Sequence, residues 1–130
     1  MLNKIIIPFF IFFSSPAFAQ LPDCSRFREG RFRIADTRAG VVTIAERKGM
    51  YQTESSESLK AVVRFRITWQ DNCSFILRLD KVLRNENKID FPPGMEIRVK
   101  ITATSGDSYT QEVSSALANT PYKVQAVKIN

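Results

Sequence analysis

The sequence predicts an all-β chain, a small antiparallel barrel or curved meander of about eight strands pinned by one disulfide. Three observations predict it. Apolar and polar residues alternate with a period of two over most of the chain, which is the signature of strands with one buried face. Short Gly-, Pro- or Asn-containing breaks interrupt the alternation at close spacing, as in barrels and sandwiches. The 130 residues hold two cysteines and no histidine, so Ser-His, Cys-His and His-metal constellations are excluded at once. The length is that of one domain.

Residues 1–19 read as a cleavable secretory leader. Lys4 gives the positive start, Ile5 to Phe13 the apolar stretch, and Ala17-Phe18-Ala19 the small-residue cleavage box, so the mature chain is expected to begin at Gln20. The apolar run is about half of the roughly 20 residues a bilayer-spanning helix needs. Removing residues 1–19 from 130 leaves 111; one Lys and no acid are lost, so the formal charge falls from +6 to +5. Residues 20–130 are expected to form a single exported domain that does not span a membrane after cleavage. Leu21-Pro22-Asp23-Cys24 fits a lipoprotein box badly, because Pro22 and Asp23 stand where small residues are needed.

Export permits disulfides, and two cysteines allow one intramolecular pairing, Cys24–Cys73. Closing a loop of that length is worth about 4 kcal/mol in the chain-entropy account.

The strands follow in order. Gly30 to Ile34 is expected to turn Phe32 and Ile34 inward. Gly40 leads into Val41 to Glu46, and Gly49 into Met50 to Glu54, with Ser55 to Ser58 a loop. From Leu59 to Trp69 the residues Leu59, Ala61, Val63, Phe65, Ile67 and Trp69 share one face, and Lys60, Arg64, Arg66 and Thr68 the other. Gln70-Asp71-Asn72 is a hairpin turn, after which Cys73, Phe75, Leu77 and Leu79 share a face. Val82 to Asp90 is polar and reads as a loop. Pro92-Pro93-Gly94 breaks the chain before Met95, Ile97, Val99 and Ile101 alternate with charged residues. Ser105-Gly106-Asp107 turns it, Tyr109, Gln111 and Val113 alternate weakly, residues 112–119 are compatible with one helical turn, and Tyr122, Val124 and Ala126 close the series.

Three local patterns stand together: Cys24-x-x-Phe27-x-x-Gly30-x-Phe32, Arg47 followed by Gln52-x-Glu54, and Phe65-x-Ile67-x-Trp69-x-x-x-Cys73-x-Phe75-x-Leu77. Their order and spacing over about residues 24–79 resemble a family of small exported bacterial β-rich proteins of uncharacterised function. Some of its members carry the label "DNA topoisomerase IV". A topoisomerase needs a nucleophilic Tyr, an acidic metal cluster and several hundred residues of moving domains, so that label is an erroneous transfer. The resemblance implies no catalytic residues.

Candidate chemistry is sparse. Arg31, Arg33, Arg64, Arg66, Arg98 and Lys100 fall on outward faces, and are candidates for an anion-binding surface if their strands are neighbours. Interspersed acids make a solvated outer face the alternative. Phe65, Ile67, Trp69, Phe75, Leu77, Val99 and Ile101 either line a ligand cavity, as in lipocalin-like barrels, or fill the core. Gln52 and Glu54 share a strand face where apolar neighbours would bury them against Arg47 or another Arg. Ser105-Gly106-Asp107-Ser108-Tyr109 is similar to the Ser/Gly/Tyr loop of small β-barrel lysozyme inhibitors, although Ser-Gly-Asp is also an ordinary hairpin turn.

The sequence therefore predicts a non-enzymatic exported protein, periplasmic or extracellular, acting as a binding or structural module of the cell envelope. No cofactor and no metal are expected. The partner is expected to be an anionic envelope component or an apolar small molecule, and not nucleic acid. A lipid-binding barrel is the alternative, and an inhibitor-type interaction module the third reading.

Overall fold

A computed structural model describes residues 22–116 and 120–130; the expected leader lies outside the described residues. A short 3-10 helix, Ser25–Phe27, precedes eight strands: β1 Gly30–Asp36, β2 Val41–Lys48, β3 Tyr51–Ser56, β4 Ala61–Trp69, β5 Ser74–Asn85, β6 Glu96–Ser105, β7 Ser108–Ser115 and β8 Tyr122–Lys128. They pair in sequence order and β8 closes on β1, giving an up-and-down antiparallel barrel. Cys24 and Cys73 are bonded, as the sequence predicts.

Alternation carries the fold. One face of each strand points inward, placing Phe32, Ile34, Ala45, Val63, Phe65, Ile67, Phe75, Leu77, Val99, Ile101, Val113, Val124 and Ala126 in one buried cluster. Six of the seven residues that the sequence offers as core or ligand lining are fully buried there; Trp69 packs against the cluster from its edge. Ring packing fills the barrel: Tyr109 lies 4.8 Å from Phe27 and 5.7 Å from Phe32, and Trp69 lies 4.7 Å from Phe75, centroid to centroid. Aromatic burial of this kind supplies a large share of a small domain's stability.

The antiparallel order divides the turns between two ends. The β2–β3, β4–β5 and β6–β7 turns share one end with the 3-10 helix and the C-terminal residues. The β1–β2, β3–β4, β5–β6 and β7–β8 connections share the other.

The first end is sealed. Phe27, with no exposed surface, is driven into the core by the helix, and the disulfide ties the preceding Cys24 to the β4–β5 turn. Arg26 donates to the Gly106 carbonyl at 2.8 Å and to Asp107 at 2.6 Å, while Lys128 Nζ donates to the Arg26 carbonyl at 2.8 Å. Arg28 lies 4.5 Å from the centre of the Trp69 ring. Gly30 takes φ +130°, and a Cβ there would sit 2.8 Å from the Asn130 carbonyl oxygen, so the first and last strands meet this closely only around a glycine.

Four details differ from the sequence reading. β5 runs on to Asn85 through the segment expected to be a loop, pairing Val82 with Val63 and Asn85 with Ala61 across two register shifts. There β5 has passed its pairing with β6, which ends at Arg78, so residues 80–83 are exposed on both faces and show no period-two alternation. Leu59, expected inside, is exposed in the β3–β4 turn, because the strand begins two residues later at Ala61. Ser55 and Ser56 belong to β3 and not to the loop after it. Residues 112–115 continue β7 where one helical turn was expected, because pairing with β6 and β8 satisfies their backbone; residues 117–119 lie outside the described set.

Candidate functional site

Polar residues enter the barrel on β2 and β3, where the inward positions read Arg47, Gln52, Glu54 and Ser56. Arg47 is 2% exposed. Its Nε donates to Gln52 Oε1 at 2.6 Å, Nη1 to the Phe27 carbonyl at 2.8 Å and Nη2 to the Tyr109 hydroxyl at 2.6 Å. The guanidinium lies 4.4 Å from the Phe32 ring centre and 4.8 Å from that of Phe75. All three of its nitrogens are thus used, which is what a buried cation requires. Arg47 joins the plug, formed by the 3-10 helix and its Phe27, to the barrel wall and acts as an architectural centre.

Gln52 passes the chain of hydrogen bonds upward, its Nε2 donating to Glu54 Oε1 at 2.8 Å. Burial pushes the Glu54 carboxyl above the usual carboxylate range, opposed by the Gln52 hydrogen bond and by Arg47. Glu54 reaches a hollow of about 130 Å³ inside the unsealed end of the barrel. Asp36, Thr43, Gln111 and Tyr122 line it among the apolar Ile34, Ile97, Val113 and Val124, and every one of them is an inward-facing strand position.

Three features define this mouth. Gln111 is 5% exposed, and its Oε1 is buried without a hydrogen-bond partner among the described residues. A buried unsatisfied carbonyl costs about 1–3 kcal/mol, and native proteins retain few of them. Asp36 Oδ1 accepts the backbone N–H groups of Arg38 and Ala39 at 3.0 and 3.2 Å, which folds the β1–β2 turn over the rim. Arg38 places its guanidinium 3.6 Å from the centre of the Tyr122 ring, with Nε 3.6 Å from Asp36 Oδ1.

The other sequence candidates fall elsewhere. Arg31 and Arg33 lie on β1, Arg64 and Arg66 on β4, and Arg98 and Lys100 on β6, and no two of these strands are neighbours in the barrel. The condition for merging them into one face is therefore not met. Acids are interleaved with them: Arg64 pairs with Asp80 at 2.7 Å, Arg98 with Glu96 at 3.2 Å, and Arg31 with Glu46 at 3.9 Å. Such exposed pairs contribute little stability. The Ser105–Tyr109 turn lies at the sealed end, where Tyr109 is buried against Arg47.

The hydrophobic candidates pack the barrel and leave the 130 Å³ hollow at the mouth, which they do not line. Three larger hollows, of about 510, 420 and 290 Å³, are open ones. The first lies along Pro92 to Glu96, Arg98 and Ser114 to Ala116, the second along Arg31, Gly40, Val42, Ile44, Ser55, Glu57 and Ser58.

Among the described residues no group of three Cys, Asp or Glu side chains converges to hold a metal ion, and no helix is long and apolar enough to cross a membrane. Sequence reasoning reached Arg47, Gln52 and Glu54 but missed Asp36, Gln111 and Tyr122. A Gln alternating in phase with Tyr109 and Val113 was the available signal. Comparison with family models, curated proteins and solved structures finds no match for this chain.

Proposed function

We propose that this chain is an exported, non-catalytic binding module whose working end is the open mouth of the barrel. The observation that carries this reading is the hollow that Gln111 lines together with Glu54 and Asp36, beside which the Gln111 Oε1 is buried without a partner among the described residues. Among the described residues no other buried side-chain nitrogen or oxygen lacks a hydrogen-bond partner, so the mouth is where buried hydrogen-bonding capacity is left over.

The geometry gives less support to the alternatives. A lipocalin-like carrier of an apolar molecule wants a cavity of about 300 Å³ or more within an apolar lining, and the interior hollow is about 130 Å³ with two carboxyl groups. An anionic envelope partner would need uncompensated basic residues on one face; Arg78 on β5 links those of β4 and β6, but Asp80 pairs with Arg64 and Glu96 with both Arg78 and Arg98. Export rests on the leader-like residues 1–19 and agrees with the disulfide.

The test is a chemical-shift titration of the exported protein with a panel of small polar molecules. Shifts concentrated at Asp36, Glu54, Gln111 and Tyr122 support the reading. Shifts confined to the sealed end, or none across the panel, overturn it. The intact mass of the same sample is expected to begin at Gln20 with both thiols oxidised.

A further inference from the structure

We propose that the mouth of the barrel binds a guanidinium group, seated between Glu54, Asp36 and Gln111. This inference rests on the mouth being the binding end, and it names the chemistry bound there.

The hollow's polar lining is rich in acceptors. Glu54 uses Oε1 to accept from Gln52, and Oε2 is the second carboxylate oxygen of a side chain inside the hollow. Asp36 commits Oδ1 to the β1–β2 turn. Gln111 Oε1 has no donor among the described residues. A ligand that answers these atoms must bring several N–H donors in a small volume. The hollow of about 130 Å³ holds roughly four waters' worth of space, which suits a four-heavy-atom planar group with five N–H donors.

Charge points the same way. Glu54 is a carboxyl whose burial disfavours its ionised form, and its link to Arg47 runs through the neutral amide of Gln52. A cation seated beside it offsets the cost of that buried charge; a neutral donor of equal shape does not.

The barrel already handles this group twice. Arg47 is held between the Phe32 and Phe75 rings with every nitrogen bonded. Arg38, from the mouth's own turn, lies over the Tyr122 ring beside Asp36. Arg38 thus occupies the outer part of the surface an incoming guanidinium would meet, and the two compete for Tyr122.

The experiment compares propylguanidinium with propylurea, its neutral near-isostere, at constant ionic strength, following the Gln111 side-chain amide and the Glu54 carboxyl by NMR. Binding of propylguanidinium at the mouth at least about tenfold tighter than propylurea is expected, as a charge-assisted pair replaces a neutral one. Equal affinities overturn the guanidinium assignment while leaving the mouth a binding site. Shifts from neither probe overturn both. A Gly-Gly-Arg-Gly-Gly peptide separates the sources: tighter binding than propylguanidinium identifies a side chain presented by a polypeptide, and weaker binding a free small molecule. In variants that keep the wild-type amide spectrum, Glu54→Gln is expected to abolish the preference over propylurea, and Arg38→Ala to tighten propylguanidinium binding by uncovering Tyr122. A preference that survives Glu54→Gln contradicts the proposal.

Discussion

The two ends of this barrel solve opposite problems with the same strand pattern. At the sealed end a three-residue helix, a disulfide, a buried arginine and the C-terminal strand converge, and each nitrogen of the Arg47 guanidinium meets an acceptor. At the mouth the inward positions turn polar, a glutamine oxygen is left without a donor, and a carboxyl is held where its charge is disfavoured. The difference separates the end built for stability from the end proposed above as the binding site. The sealed end holds the barrel together, and it lets the mouth keep polar groups that a purely structural core would replace with Leu or Val.

Substitutions at the sealed end carry the largest expected effects. Replacing both cysteines with serine should lower the free energy of unfolding by about 4 kcal/mol, since the bond closes a 49-residue separation. Denaturant melts with and without reductant measure this, and equal midpoints would contradict it. Arg47→Met should cost about 3 kcal/mol, because the Phe27 carbonyl, the Tyr109 hydroxyl and Gln52 Oε1 all lose their donor. A loss below about 1 kcal/mol would mean that the network is dispensable. Trp69→Ala should cost about 2 kcal/mol, below the 3–5 kcal/mol of a fully buried aromatic, because Trp69 is only partly covered by Phe75 and Arg28.

The smallest expected effect has the opposite sign and lies at the mouth. Glu54→Gln should raise stability at pH 7 by roughly 0.5–1 kcal/mol. The folded-state carboxyl binds its proton more tightly than the unfolded one. Its contribution is therefore fully present below the unfolded value, about 4.3, and is lost as pH rises through the raised folded value. The gain from Glu54→Gln should accordingly vanish near pH 4. Burial pushes the hydroxyl of the neighbouring Tyr122 further up, away from this pH window. Thermal melts at pH 4 and pH 7 test it; an unchanged or lowered midpoint at pH 7 would show that Glu54 is a structural group like Arg47.

Legibility in the sequence followed exposure. Where one strand face is dry and the other wet, as from Ala61 to Trp69, alternation identifies the inward residues directly. The disulfide was legible because two cysteines leave one pairing. The end of β5 was not, since there the strand is paired with β4 alone and residues 80–83 meet water on both faces. The plug was not, because a three-residue helix has no period to detect. Its cue was the isolated Phe27 between Arg26 and Arg28. In the candidate site, Gln52 and Glu54 could be paired by register along one strand. Joining them to Gln111 on β7 and Asp36 on β1 required knowing that the sheet closes, and period-two alternation is the same in open and closed sheets.

Native-state hydrogen exchange, before and after reduction of the disulfide, tests the contrast between the ends most directly. The structure predicts that the sealed-end amides of Phe27, Ile67, Ile101 and Ile129, all hydrogen-bonded to backbone carbonyls there, exchange only through global unfolding. The mouth-turn amides of Arg38 and Leu59, held by side-chain acceptors alone, should open locally, and reduction should bring Phe27 down towards their level. Protection at Arg38 and Leu59 equal to that at Ile67, or a Phe27 amide indifferent to reduction, would contradict the picture of one pinned end supporting one open end.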